Sequence, residues 1–290
     1  MPRAHVVIPM RNAARTIGAV LDAVLPQAPV VWCVDDASAD ASADIARAKG
    51  ARVVVSGRAS AAHTRNTGWE AARDAGAEHV LFLDSDAIPV SGWAAALAGR
   101  LAKGDADIAG GHVASRPSTR FERAYDRMYE AIDARSFRDG SALLSGATLG
   151  VRASLYDTAR FDPTLPGALC EDVDFLARAM KAGARAVYVP EAVVHHHHPP
   201  NLRAFVRQET RRGRGRAIIV ARHPERAGDA SVRSWPGWVW DVTVKAPWHL
   251  EHARRAAGFD PAVMGLHWLR MAAGHWGYLR EAARLNRSRS

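Results

Sequence analysis

The sequence predicts an α/β fold: a mostly parallel central sheet covered by helices, followed by a helical C-terminal extension. Three observations carry this reading. Short apolar runs, nearly continuous rather than alternating, recur through the first hundred residues, as strands buried on both faces do. Amphipathic stretches of helical length separate them, the alternation that builds a parallel sheet. Finally, Asp35, Asp36, Asp84 and Asp86 stand where successive runs end, and the carboxyl ends of strands are where such sheets bind ligands.

Taken in order, HVVIP is the first strand and ARTIGAVLDAVL a helix with apolar residues at helical spacing. VVWCVDD is the second strand, SADIARAKG a short helix closed by Gly50, and ARVVVSG the third strand. TRNTGWEAARDAG forms a helix ending at Gly76, and HVLFLDSD the fourth strand. Past residue 105 the alternation loosens. DIAGGHVAS and ALLSGATLGVR read as strands around a polar, helical TRFERAYDRMYEAIDARSF. EDVDFLARAMKAG is a helix, and ARAVYVPEAVVHHHH a last extended segment. From about residue 201 the chain is arginine-rich, then tryptophan-rich, and reads as helical. These patterns divide it into a domain over 1–225 and an extension over 226–290, packed on the domain or lying at a membrane surface.

Composition narrows the function classes. Hydrophobic residues make up 48% and charged residues 24% of the 290, which argues for a globular protein and against general disorder. The formal charge of +9 favours anionic partners: nucleotides, nucleic acid or an anionic membrane. Cys33 and Cys170 alone support neither a disulfide framework nor a cysteine-rich zinc site. No apolar run reaches the roughly 18 residues of a spanning helix, and MPRAHVVIPM does not read as a signal peptide. A cytoplasmic location is therefore expected, with peripheral contact at the inner face of the membrane as an extension of it. The segments SWPGWVWDVTVKAPWHLEHARR and MGLHWLRMAAGHWGYLREAARL combine Trp, Leu and basic residues, as interfacial helices do and as helices packed on a neighbouring domain also do.

Three clusters carry chemistry. Asp84 and Asp86, two apart at a strand end, supply the hard oxygen ligands that suit Mg2+ or Mn2+; turn or capping acids have the same spacing. Glu171, Asp172 and Asp174 open a helix, where acids favour the helix dipole by about 0.3–1 kcal/mol each, and where an ionised carboxylate could also serve as a general base. His195 to His198 offer imidazole ligands, and extended geometry puts His196 and His198 on one face.

In this order the pieces resemble the family 2 glycosyltransferases of the GT-A (Rossmann-like) fold, over roughly residues 4–225. VVIPMRN is similar to the first strand and its Pro-x-x-Asn turn, and VDDASAD to the Asp-Asp segment after the second strand. HTRNTGWEAA resembles the Arg-Asn-x-Gly helix, LDSD the Asp-x-Asp motif, and SGATLGVRASLYDTARFDPTL the acceptor-side segment with its Arg160-Phe161-Asp162 corner. CEDVDFLARAMKAG resembles the Glu-Asp helix, and VPEAVVHHHHPPNLRAFVRQETRRGRG the closing strand and basic loop. The resemblance implies an inverting, metal-dependent transfer from a nucleoside-diphosphate sugar to a glycan, lipid-linked or small-molecule acceptor. It implies donor contacts from Pro9, Asn12, Asp36, Arg65, Asp84 and Arg211, with Asp36 facing the base. Asp86, Asp84 and His196, with His198 as runner-up, are the implied holders of the divalent cation. Asp172 is the implied base, with Glu171 beside it.

One departure bears on function. RQETRRGRG keeps Gln208 and Arg211 but has Arg212 where processive members carry Trp, which counts against a processive polymerase. Two other classes compete. A sugar-nucleotide pyrophosphorylase would show a glycine-rich loop with Arg and Lys after the first strand, unlike PMRNAARTIG. A basic nucleic-acid-binding protein would not need acids clustered at strand ends, so nucleic acid is not an expected partner.

Overall fold

The computed structural model describes residues 3–57, 60–117, 119–138, 144–165, 169–196, 199–224, 235–244 and 260–287. It divides into two compact units, one of residues 1–116 with 144–197, the other of residues 117–143 with 198–290.

The first unit is built on an eight-stranded sheet. Its strands are β1 (Ala4–Met10), β2 (Val31–Asp35), β3 (Arg52–Val55), β4 (His79–Leu83), β5 (Ala87–Pro89), β6 (Ile108–Ala114), β7 (Thr148–Arg152) and β8 (Ala186–His196), in the order β3-β2-β1-β4-β7-β6-β8-β5. The pairs among β1 to β4 and the pair β6–β8 are parallel, while β7 and β5 run antiparallel to their neighbours. Helices α1 (Ile17–Val24), α2 (Ser42–Ala48), α3 (Ala61–Asp74), α4 (Trp93–Ala102) and α6 (Glu171–Lys181) cover it.

Alternation along the central strands explains why both faces are covered. Val6, Ile8 and Met10 of β1 and Leu81 and Leu83 of β4 pack with Val20, Leu21 and Leu97 of α1 and α4. Val7, Val80 and Phe82, on the opposite pleat, pack with Trp69 and Phe175 of α3 and α6. Gly76 and Gly183, read from the sequence as helix ends, take φ of 82° and 95°, the left-handed region that favours glycine. The mostly parallel, helix-covered sheet agrees with the sequence reading. The short β5 and the whole of α4 were not legible there.

The second unit is helical: α5 (Arg120–Arg138), α7 (Leu202–Arg222), α8 (Trp235–Thr243) and α9 (Pro261–Arg287). Its boundaries depart from the division at residue 225. Tyr125 and Met128 of α5, Phe205 of α7 and Val263 and Leu266 of α9 share one apolar cluster, and Ala217, Tyr278 and Leu279 another. This shared core groups α5 and α7 with the C-terminal helices. A Cβ on Gly213 would overlap the Gly274 carbonyl, and one on Gly277 the Thr210 carbonyl, so α7 and α9 meet backbone to backbone. Among the described residues, no helix is long and apolar enough to cross a membrane.

Candidate active site

The carboxyl ends of β2 and β4 flank that of β1, so Asp36 and Asp84 stand about two strand spacings apart, roughly 10 Å. Loops stitched to each other fill the β1–β2 side. Asn12, at φ 52°, donates its N–H to Ser38 Oγ at 2.9 Å, and its Oδ1 accepts from Ala39 N at 2.8 Å. Ala13 N donates to Ser42 Oγ at 2.7 Å and Ala14 N to Asp40 at 3.0 Å. Pro9 lies in β1, paired with Val34. Asp36 is buried, accepts from Ser56 Oγ at 3.2 Å and meets Arg11 at 3.5 Å. Ser56 in turn contacts Thr64 Oγ1 at 3.1 Å, which ties this segment to α3 one residue before Arg65.

Arg65 occupies the middle of the site. Its guanidinium donates to Glu171 Oε1 at 2.6 Å and to Asp84 Oδ1 at 3.0 Å, and its buried Nε has no hydrogen-bond partner among the described residues. Two neighbours in its helix motif have structural work. Asn66 bonds Phe161 at both backbone atoms, at 2.7 and 3.0 Å, and so fixes the 160–162 corner. Gly68 lies where a Cβ would overlap Val7 and Val34, which lets α3 sit close to the sheet. Burial works against the charge on Arg65, but Asp84, Glu171 and Asp172 outweigh it and raise its pKa. Burial pushes the carboxyls of Asp84 and Glu171 above the ordinary range despite the help of Arg65.

The third part of the site lies beyond β4. The β5–β8 register sets Ala87 opposite His196, which brings His196 Nε2 to 3.1 Å from Asp86 Oδ1. One ligand atom from each of Asp84, Asp86 and His196 lies within 4.8 Å of the others. Two carboxylates and an imidazole form a donor set that suits Mn2+ or Mg2+, so these side chains fit a divalent ion.

At the start of α6, Asp172 accepts from Gly146 N at 2.9 Å and Val173 N at 2.8 Å. Asp174, in the same helical turn, is fully buried and pairs with Arg178 four residues on in its own helix at 2.8 Å, a structural role.

Comparison with known proteins follows the same lines. Residues 2–215 match the family described as Glycosyltransferase like family 2. The chain belongs to that family. A pre-mycofactocin glycosyltransferase of Mycobacterium tuberculosis H37Rv is 27% identical to this glycosyltransferase family member over 191 residues, 61% of this chain. The chain spans only 40% of that relative's length. Among solved structures, glucosyl-3-phosphoglycerate synthase from M. tuberculosis, in complex with Mn2+, UDP and phosphoglyceric acid, superposes with a TM-score of 0.57 at 20% identity, covering 76% of this chain and 78% of that one. Mannosyl-3-phosphoglycerate synthase from Rubrobacter xylanophilus gives 0.55 at 17%, covering 77% and 75%. These likenesses establish the GT-A fold.

Of the site residues read from the sequence of this family 2 member, Arg65, Asp84, Asp86, Glu171, Asp172 and His196 share one connected cluster. Asp36 joins it through Ser56 and Thr64, and Asn12 staples the adjoining loop. Arg211 is an exposed residue of α7 in the second unit, and His198 lies outside the described residues. Sequence reasoning missed the Gly146 N–H that holds Asp172, the Asn66 clamp on Phe161, and the Ser56–Thr64 link. Asn66 alone had a signal, its place beside Arg65 in the Arg-Asn-x-Gly motif.

Proposed function

We infer that this chain transfers a glycosyl group from a nucleoside-diphosphate sugar to an acceptor hydroxyl by single displacement with inversion. The observation that carries this reading is the convergence of Asp84, Asp86 and His196 beside the Arg65–Glu171 pair and Asp172. Solved GT-A relatives bound to UDP with Mn2+ or Mg2+ support it. A divalent ion held by Asp84, Asp86 and His196 would neutralise charge growing on the leaving diphosphate.

The protein residues have separable roles. Asp172 takes the proton of the acceptor hydroxyl as its oxygen attacks the anomeric carbon. The bond from that carbon to the diphosphate oxygen breaks on the opposite face, and the electron pair leaves with the diphosphate. The backbone N–H groups of Gly146 and Val173 orient the Asp172 carboxylate. Glu171, buried against Arg65, is better placed to hold that guanidinium than to meet substrate. Asp36 and Pro9, with the loop that Asn12 staples, form the base and ribose side. Arg65 supplies positive charge toward the donor.

The acceptor is a glycan, a lipid-linked molecule or a small molecule. A cytoplasmic location with peripheral membrane contact belongs to the same proposal, supported by exposed Val239, Trp240 and Val244 on or next to α8; flotation with anionic liposomes tests it. The test of the reaction is a thermal-shift screen of UDP-, GDP- and TDP-sugars with and without Mn2+. One nucleotide class stabilises the protein in an ion-dependent way, and Asp172→Asn keeps that shift while losing transfer. Full transfer by Asp172→Asn would remove it as the base.

A further inference from the structure

A cavity of about 560 Å3 lies in the second unit, lined by Thr210 and Arg214 of α7 and by Gly277, Arg280, Glu281 and Arg284 of α9, with Ala283 and Arg287 completing it. The close approach of the two helices at Gly213 and Gly277 explains why arginines from both reach one space. On α9, Arg280, Arg284 and Arg287 recur at spacings of four and three, so they share one helix face.

The lining carries four arginines and one glutamate. Glu281 is buried and accepts from Arg214 Nε at 3.0 Å through one oxygen and from Arg284 Nε at 2.6 Å through the other. That carboxylate fixes one edge of each guanidinium. It is the one acid beside four arginines in the lining. Arg280 is exposed and has no hydrogen bond or ion pair among the described residues. Like charges around a concave space repel one another and focus a positive potential into it. A planar fork of N–H donors, repeated from several directions, matches the oxygens of a phosphate group. The volume exceeds that of inorganic phosphate alone and suits a phosphate ester.

We propose that the α7–α9 cavity is a binding site for a phosphomonoester, with Arg214 and Arg284 held in place by Glu281 and Arg280 and Arg287 completing the contact. Two sources share this chemistry, a soluble phosphate ester and the headgroup of an anionic lipid. The assignment does not rest on the transfer reaction.

The test is calorimetric titration of inorganic phosphate and of glycerol phosphate into the full chain, in EDTA so that no ion-bridged donor site contributes. Saturable binding is expected, weakened roughly ten- to hundredfold in Arg280→Glu and reduced by added salt. The milder Arg280→Gln guards against misfolding, with circular dichroism melts confirming that both variants fold. Flotation with phosphatidylcholine vesicles, with and without phosphatidic acid, separates the sources. Phosphatidic-acid-dependent flotation lost in Arg280→Glu assigns the site to a lipid headgroup, and phosphate binding without flotation assigns it to a soluble ester. No saturable binding in either arm, or binding unchanged in both variants, would overturn the proposal.

Discussion

Around Arg65, the carboxylates of Asp84, Asp86, Glu171 and Asp172 gather near a single guanidinium, whereas around Glu281 the guanidiniums of Arg214, Arg280, Arg284 and Arg287 gather near a single carboxylate. Both centres pair a buried acid with arginine, yet their acids respond in opposite directions. In the first unit, burial pushes Asp84 and Glu171 up, and one arginine cannot bring them back. In the second, burial alone would push Glu281 up, but hydrogen bonds from Arg284 and Arg214 outweigh it and hold the carboxyl below its usual range. The contrast shows that burial weighed against the neighbouring charges, not the presence of a salt bridge, sets the direction in which each acid shifts. The acid-rich centre is under-neutralised and disposed to take a cation. The arginine-rich one is disposed to take an anion.

The largest effect expected from breaking this contrast comes from Arg65→Met. Glu171 would stay buried without its cation, which costs about 3–5 kcal/mol in urea unfolding at pH 7. The folded-state pKa of Glu171 lies above its unfolded value, so the protonated form is the one the fold favours. The loss should therefore shrink as pH falls and Glu171 protonates. A cost under about 1 kcal/mol at neutral pH would mean that Arg65 does not hold the acids together.

A smaller effect is expected on the other side. Gly277→Ala forces α9 away from the Thr210 carbonyl and should cost about 1–3 kcal/mol in a thermal melt, while weakening phosphate binding. An unchanged melt would show that the arginines do not depend on that close approach.

Cys33 gives the smallest effect and a reference without a charged partner. Burial alone pushes its thiol from 9.0 up to about 12. An unfolded chain ionises this thiol first, so its contribution to stability is intact below pH 9.0 and is lost as pH rises toward about 12. Accordingly, Cys33 should not react with a thiol reagent at pH 8 until the protein unfolds. Rapid labelling of the native protein would contradict this shielding of Cys33.

Much of the first unit was legible because its strands are short, apolar and followed by acids, as at Asp84, and its helices end at glycines, as at Gly76. The α4 segment WAAALAGRLA was not, because alanines occupy both its buried and its solvent-facing positions and blur the helical period. Three residues of β5 are too few for any period. The resemblance put His196 ahead of His198, but the contact that sets it beside Asp86 comes from β5 pairing with β8 across more than a hundred residues, a register that no local pattern encodes. Alternation along the strand could only place His196 and His198 on the same face. The grouping of α5 and α7 with the C-terminal helices escaped for a similar reason. Their apolar partners on α9, Val263 and Leu266, lie far downstream.

The central claim is that Asp84, Asp86 and His196 hold a divalent ion against a donor diphosphate. Its most direct test is titration of the full chain with Mn2+, with and without UDP, following the electron paramagnetic resonance signal of the free ion. Saturable binding, tightened by UDP and lost in a folded Asp86→Ala variant, is the predicted result. Undiminished Mn2+ uptake by Asp86→Ala, or none by the parent chain with UDP present, would contradict the account.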